Sequence, residues 1–148
     1  MLEVTVRRSE WLRGKDSVSH DATETQPAYG GSFLYREDDG KKCCLGFACL
    51  AAGLSIQQIK GVPTPGSVAR KLQDKFPKEL SGLVEYNDGT RHLYSLIDSG
   101  ICTALMSDND RMWHSAFGDA DSEYTDAERE AYLTKMGLEV GIKFTFID

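Results

Sequence analysis

The sequence predicts a single α+β domain over residues 1–148, in which a small antiparallel sheet packs against several short helices. Three observations lead to this fold class. Residues 43–52 are almost entirely apolar, residues 82–100 have the pattern of a β-hairpin, and a capped helix before residue 137 is followed by alternating apolar residues. A chain of 148 residues can bury roughly 70% of its unfolded surface, so it needs no disulfide or metal to fold.

The first 32 residues predict a helix and then a long loop. Residues 3–13 fit either a strand followed by a helix or one helix with Val4, Trp11 and Leu12 inward, and we favour the single helix. Residues 15–32 are polar and rich in turn-forming residues, without sustained periodicity. Because loops of this length are uncommon in compact domains unless they bind something, this loop is a candidate binding element.

An apolar segment, KKCCLGFACLAAG, follows a short strand and a turn. Residues 33–36 predict the strand, and the Asp-Asp-Gly sequence at 38–40 predicts the turn. Every residue of 43–52 except Gly46 is apolar, and Gly53 stands where a helix would end. A helix that is apolar on all sides is expected to be buried.

The middle of the chain predicts helices on both sides of a hairpin. A short helix or turn falls within residues 55–66, a longer helix begins at Pro65 and stops at Pro77, and a helical turn or two occupies 101–107. The hairpin turns at residues 87–89, which tolerate positive φ. The core-facing residues of the longer helix are predicted to be Val68, Ala69, Leu72 and Phe76.

The last part of the chain predicts a helix and a strand. Thr125 and Glu128 form a capping box, the helix runs to about Met136, and Gly137 caps it. Apolar and polar residues then alternate, which predicts a strand with one buried face. The apolar positions are Leu138, Val140, Ile142, Phe144 and Phe146.

The charge distribution is uneven along the chain. The formal net charge is −6, and residues 107–130, with eight acidic and two basic side chains, account for all of it. This pattern argues against a general affinity for nucleic acid or anionic lipid. The longest apolar stretch is about half of the roughly 20 residues that a membrane-spanning helix needs, and the first residues lack the apolar core of a signal peptide. We therefore expect a cytoplasmic protein whose four cysteines are free thiols, with no contact to membranes or nucleic acid.

Cysteine chemistry is one functional alternative. Cys43 and Cys44 follow Lys41 and Lys42 at the predicted N-terminus of a helix, and both features lower the pKa of a thiol. A cysteine enzyme also needs a base, and none of the three histidines lies in a recognisable signature. We favour burial of these thiols in the core, and therefore expect no catalytic residue.

Metal sites are not expected either. The cysteine spacing matches neither zinc nor iron–sulfur sites. Residues 119–130 partly match a calcium-binding EF-hand loop, but Tyr124 stands where the sharp turn requires glycine, and Thr125 and Glu128 are used by the helix cap. We expect an exposed acidic loop here, and no cofactor.

Anion binding would have to use dispersed side chains, since no phosphate-binding glycine loop occurs in the sequence. The candidates surround the long loop, the short strand and the N-terminus of the apolar helix, where free amides are also expected to point outward. Solvated surface is the other interpretation of the same residues. They are Lys15, Gln26, Tyr35, Arg36, Lys41, Lys42 and Cys44.

Three segments resemble a group of small uncharacterised proteins of bacteriophages and prophages: DGKKCCLGFACLAAG, LIDSGICTAL and TDAEREAYLTKMGLEVGIKFTF. Those proteins carry a Cys-Cys-Leu-Gly segment after a strand and an acidic turn. A Gly-Lys pair and a Gln precede their strand, which Gly14, Lys15 and Gln26 match; they have Asn-Asp where this chain has Ile97-Asp98. The resemblance implies a phage accessory protein, and many such proteins counter host defences by sequestering a signal nucleotide or by blocking a host protein.

Three functional hypotheses follow. The first is an anti-defence binding protein in the host cytoplasm that sequesters a small nucleotide-like ligand between the long loop and the Cys43 helix. The second is an inhibitor that binds a host defence or nucleic-acid-binding protein through its acidic stretch, with Asp119, Asp121 and Glu123 in contact. The third is an enzyme that uses Cys44. A homo-oligomer with an interface at Cys102 or at the C-terminal strand is left open.

Overall fold

The computed structural model describes residues 1–14, 33–87, 95–110 and 124–148. Its helices and strands form an α+β fold, which confirms the predicted class. The strands are β1 (Leu2–Arg7), β2 (Val84–Tyr86), β3 (Leu96–Asp98) and β4 (Ile142–Ile147). The α-helices are α1 (Cys44–Ala51), α2 (Ile56–Ile59), α3 (Pro65–Leu72), α4 (Gly100–Asp110) and α5 (Asp126–Glu139), and short 3₁₀ helices span Arg8–Glu10, Gln73–Lys75 and Lys78–Leu83.

The N-terminal segment is a strand, so the single helix favoured for residues 3–13 is wrong. β1 buries Val4 and Val6 and exposes the residues between them, a period of two that suits β-branched valines. The helical part of this segment is limited to one 3₁₀ turn. Trp11 and Leu12 are nevertheless buried, as predicted.

The four strands form two small pairs. β2 and β3 are antiparallel, with Tyr86 opposite Leu96, which confirms the strands of the predicted hairpin; Asp88 and Gly89 lie outside the described residues. β1 and β4 are parallel, with Leu2 opposite Ile142. The sequence did not predict this parallel pair, because its strands are nearly a whole chain apart and their local patterns carry no information on direction.

Helix α1 is the buried apolar helix that the sequence predicts. Its residues from Cys44 to Cys49 are all buried, and Gly53 follows it with a φ of +97°. Gly46 of the Cys-Cys-Leu-Gly motif has a packing role, because a Cβ atom there would overlap the carbonyl oxygen of Leu34. The motif therefore lets the 33–36 segment lie directly on the helix backbone.

Helix α3 starts at Pro65 as predicted but ends at Leu72, before the predicted stop at Pro77. A 3₁₀ turn follows, and its first residue, Gln73, has a φ of +53°. The predicted short helices are confirmed as α2 and as α4, which is longer than predicted.

Helix α5 begins with the predicted capping box of Thr125 and Glu128 but ends at Glu139 rather than at about Met136. Gly137 lies inside the helix, so its predicted role as a cap is wrong. A Cβ atom at Gly137 would lie 2.7 Å from the carbonyl oxygen of Ile142 and 2.8 Å from the ring of Phe144, so this glycine permits close packing of α5 on β4. Gly141, with a φ of +76°, makes the turn into the strand.

The core lies on the inner face of the β1–β4 pair, where α1 packs on β1, α5 packs on β4, and α4 contacts both helices. Each of these elements contributes apolar side chains to it. Among the residues described, no helix combines the length and apolar character needed to cross a membrane.

Candidate functional site

The candidate site rests on four short extended segments that lie side by side in the order 10–12, 41–43, 33–36 and 60–62. Backbone hydrogen bonds of 2.8 to 3.1 Å join each segment to the next. The strand predicted at 33–36 is wrong, because this segment bends at Leu34 and pairs with 60–62 only through one isolated bridge between Tyr35 and Lys60. These segments hold the chain on both sides of the predicted acidic turn.

The turn itself closes tightly. The Arg36 N–H donates to the Lys41 carbonyl oxygen at 2.8 Å, and the Gly40 N–H donates to the Arg36 carbonyl oxygen at 2.9 Å. Gly40 has a φ of +71°, which favours glycine. Four predicted ligand-binding residues thus lie at the two ends of one turn, which we name the 35–42 turn: Tyr35, Arg36, Lys41 and Lys42.

Lys42 is nearly buried, with 8% of its side chain exposed. Its Nζ lies 4.6 Å from the ring centroid of Phe47 and 5.8 Å from that of Tyr35. The Glu10 Oε1 atom lies 3.6 Å from the same nitrogen. The cation therefore sits against two aromatic rings and one carboxylate, a setting that holds the charge in place.

Arg36 and Asp39 form a two-pronged ion pair within the turn. Arg36 Nη2 donates to Asp39 Oδ2 at 2.7 Å, and Nε donates to Oδ1 at 3.2 Å. The Arg36 guanidinium lowers the pKa of the Asp39 carboxyl to about 2. The Asp39 carboxylate thus binds the two N–H donors with which an arginine can also bind the phosphate or carboxylate of a ligand.

Lys41 differs from its neighbours, because no ion pair connects its ammonium group to any described residue. Its backbone N–H donates to Asp39 Oδ1 at 3.1 Å. Lys60, on the adjacent segment, pairs with Glu37 at 3.4 Å. Lys41 is therefore the cation of the turn that is most available to an incoming anion.

The backbone amides at the start of α1 do not point outward, so that part of the prediction is wrong. The Cys44 N–H donates to Asn109 Oδ1 at 3.0 Å, and the amides of Gly46 and Phe47 donate to the Cys43 carbonyl oxygen at 3.0 and 3.2 Å. The thiol of Cys44 is fully buried, so it lies in the core rather than on the surface of the 35–42 turn.

Burial also disfavours thiolate chemistry. All four cysteines are buried, and none forms a disulfide. Burial, followed by the neighbouring thiol of Cys43 and the carboxylate of Asp110, raises the pKa of Cys44 well above its usual value. Burial likewise raises the pKa of Cys49 and Cys102. These thiols are protonated at neutral pH, and the thiolate is the nucleophile.

Five predicted contact residues lie outside the described part of the chain, so their roles stay predictions. Two belong to the proposed ligand site and three to the proposed partner surface. They are Lys15, Gln26, Asp119, Asp121 and Glu123.

Other acids of the 107–130 stretch make internal contacts. Arg8 donates to both oxygens of Glu130 at 2.6 and 3.0 Å, and Arg13 donates to both oxygens of Asp126 at 3.0 Å. The hydrogen bond from Arg13, more than any other contact, lowers the pKa of Asp126. These carboxylates stabilise the packing of α5 against the N-terminal segment, and their negative charges are already paired with arginines of the same chain.

Two features were not predicted from the sequence, namely the buried Asn109 and the packing of Lys42 against aromatic rings. Asn109 follows Cys102 and Leu105 at helical spacing, so periodicity alone would have placed it on the buried face of α4. Glu10 and Phe47 had no such signal, because only the folded chain brings them to the 35–42 turn. No group of His, Cys, Asp and Glu side chains suited to a metal ion occurs within the described ranges.

Comparison with known proteins does not assign a family. No protein-family model matches the chain, and searches of curated proteins and of solved structures gave no significant match. Function is therefore inferred from the geometry of the 35–42 turn.

Proposed function

We propose that the protein is a non-catalytic binding protein that holds a small anionic ligand, of nucleotide-like chemistry, at the 35–42 turn. One observation carries the proposal: a single tight turn brings together an aromatic ring, the partly exposed cation of Lys41 and the buried cations of Arg36 and Lys42. An aromatic ring can stack on a base, while guanidinium and ammonium groups bind phosphate.

Each side chain has a distinct role in the proposed complex. Lys41, which has no carboxylate partner among the described residues, makes the first contact with the phosphate. Arg36 exchanges its Asp39 carboxylate for a ligand oxygen, since the fork geometry suits both. Tyr35 contacts the base. Lys42, whose ammonium group is held by Glu10, adds positive electrostatic potential from the buried side of the turn.

The biological setting of the proposal rests on the resemblance to phage and prophage proteins. Such proteins act in the host cytoplasm, so a nucleotide that signals infection is the ligand class that we favour. In this proposal Lys15 and Gln26, which lie outside the described residues, also contact the ligand. The buried, protonated thiols favour binding over cysteine catalysis.

A thermal-shift screen against linear and cyclic nucleotides tests the proposal. A ligand that binds only the folded state adds about 2.7 kcal/mol at 100 times its Kd, and we expect such a shift for at least one nucleotide. Absence of a shift with every mono-, di- and cyclic nucleotide would reject the proposal.

Three variants assign the effect to the turn. Lys41→Glu should abolish the shift, whereas Lys135→Glu, the same charge change at an exposed position of α5, should leave it intact. Asp39→Asn should tighten binding, because it removes a negative charge that competes with the ligand for Arg36. If both lysine variants bind equally well, the ligand lies elsewhere on the protein.

A further inference from the structure

The outer edge of β1 carries backbone groups that the β1–β4 ladder does not use. In the parallel pair, the Leu2 N–H donates to the Gly141 carbonyl oxygen at 2.8 Å, and the register pairs Leu2 with Ile142. A parallel ladder uses alternate residues, so Leu2, Val4 and Val6 bond to β4. The N–H and C=O groups of Glu3 and Thr5, and the N–H of Arg7, therefore point away from β4.

These outward groups are available to another strand. No hydrogen bond from the part of the chain that the structure describes reaches the amides of Glu3, Thr5 and Arg7 or the carbonyls of Glu3 and Thr5. The side chains of all three residues are exposed, whereas Val4 and Val6 face the core. An unpaired edge of this kind is a template for strand addition.

The charges along this edge are complementary to themselves. When two copies of β1 run antiparallel with Thr5 opposite Thr5, Glu3 of each copy lies opposite Arg7 of the other. All three residue pairs then occupy hydrogen-bonded positions of the antiparallel ladder, and opposite charges face each other on the solvent side. Arg7 makes no ion pair with any described residue of its own chain, so its charge is open to such a partner.

Other registers lack this match. Shifting the pairing by one ladder step in either direction sets Glu3 or Arg7 opposite Thr5, and a further step sets like charges opposite each other. We infer that β1 is a homodimer interface, at which two copies pair in antiparallel about a twofold axis at Thr5 and form a four-stranded sheet in the order β4-β1-β1-β4.

The rest of the sheet fits this arrangement. Within each copy Thr5 lies opposite Thr145, and Glu3 lies opposite Lys143 with their charged atoms 3.7 Å apart. The dimer would therefore have a row of four threonines across its centre, flanked by rows in which Lys143, Glu3 and the second copy's Arg7 alternate in charge. Cross-strand threonine pairs and opposite charges both stabilise antiparallel sheets.

The outer edge of β4 is a weaker candidate for the same role. Its outward backbone groups belong to Ile142, Phe144 and Phe146, and the solvent-facing neighbours Lys143 and Thr145 offer no complementary charge to a second copy. The β1 edge is also formed by residues other than those of the 35–42 turn, so the inference does not depend on the proposed ligand.

Analytical ultracentrifugation of the full chain, together with residue-resolved hydrogen exchange, tests the interface. We expect a dimer in which the amides of Thr5 and Arg7 exchange slowly, although they face solvent in a single copy. Arg7→Glu, which sets two carboxylates opposite each other, should give a monomer with fast exchange at these amides. The double variant Glu3→Arg with Arg7→Glu should restore the dimer, but more weakly than the parent, because opposite charges again face each other between the copies while position 3 then carries a positive charge opposite Lys143 of its own copy.

Two further variants separate the interface from the fold. Thr5→Pro removes an N–H that only the dimer uses, so it should give a monomer whose circular dichroism matches the parent. Lys135→Glu should remain a dimer. A monomeric parent with fast-exchanging β1 amides would overturn the inference, and the charges of Glu3 and Arg7 would then protect the edge against pairing. A dimer that neither Arg7→Glu nor Thr5→Pro disrupts would also overturn it, because the interface would then lie elsewhere.

Discussion

Asn109 is fully buried and makes three hydrogen bonds to two separate parts of the chain. Its Oδ1 accepts from the Trp11 indole at 2.8 Å and from the Cys44 amide at 3.0 Å, while its Nδ2 donates to the Leu12 carbonyl oxygen at 3.0 Å. One side chain on α4 thus ties the start of α1 to the segment after β1. Buried polar groups with partners of this kind fix a unique packing, because every alternative leaves a group unsatisfied.

Replacing Asn109 by alanine should therefore be costly. The substitution leaves two buried donors and one buried acceptor without their partner, at about 1–3 kcal/mol each, so we expect a loss of more than about 2 kcal/mol in the free energy of unfolding. Urea denaturation measures it. Ser107→Ala, at an exposed position on the same helix, is the control and should change stability by less than about 0.5 kcal/mol. Equal effects of the two variants would show that this hydrogen-bond network contributes little.

Helix α5 shows how packing can override helix propensity. Gly137 lies two residues before the end of the helix, at a place where the backbone and the Phe144 ring of β4 leave no room for a methyl group. A glycine near the end of an apolar pattern resembles a helix cap when only the sequence is read. Its actual role depends on β4, the element that follows it.

Two glycine-to-alanine substitutions should consequently have opposite effects. Alanine is favoured over glycine in a helix interior by about 1 kcal/mol, but at Gly137 overpacking costs about 1–3 kcal/mol, so we expect Gly137→Ala to destabilise the protein. At Gly100, the first residue of α4, an added Cβ atom would meet nothing within 4 Å, so Gly100→Ala should be neutral or stabilising. Thermal unfolding of both variants checks the sign, and a higher Tm for Gly137→Ala would contradict the packing argument.

Elements with a strong local pattern were predicted well, and elements defined by distant partners were not. The apolar run of α1, the proline that starts α3 and the capping box of α5 each carry their signal within a few residues. β1 has only two alternating valines, and its partner strand begins at Ile142. When β4 is not known, residues 3–13 fit either one helix or a strand followed by a helix.

The same contrast applies to the candidate site. Tyr35, Arg36, Lys41 and Lys42 were predicted together because one short turn separates them. Glu10 and Phe47, which hold Lys42, come from other elements and have no motif of their own. Sequence reasoning therefore found the charged groups of the site but not the contacts that orient them.

At the scale of the whole molecule, ion pairs connect the two ends of the described chain. Arg8 binds Glu130 of α5 and also Asp148, 2.9 Å away, and Arg13 binds Asp126 at the start of α5. Arg13 also lies over the Trp11 ring, 4.6 Å from its centroid. The pairs supplement the β1–β4 sheet, so that both the sheet and the charges hold the N-terminal segment against the C-terminal helix and strand.

These ion pairs predict a loss of stability in acid. Arg13 lowers the pKa of Asp126 in the folded protein below the value of the unfolded chain, so the pair stabilises the fold above the unfolded pKa and loses this effect as the pH falls through the folded pKa. The loss should therefore begin as the pH falls to the range of an ordinary aspartate and continue below it. Because half of the Asp126 side chain is exposed, solvent screening makes the effect modest.

Asp126→Asn should flatten the dependence of the urea midpoint on pH across this range, and should lower stability at neutral pH, where the carboxylate is charged. The matched control is Asp74→Asn, at an exposed position with no ion pair to any described residue, which should leave the slope nearly unchanged. Asp39, whose pKa the Arg36 guanidinium lowers to about 2, should keep a residual slope at the acid end in the Asp126 variant. An unchanged slope in Asp126→Asn would mean that the contact between Arg13 and α5 does not contribute to holding the N-terminal segment, and that the β1–β4 sheet and the ion pairs of Arg8 do so.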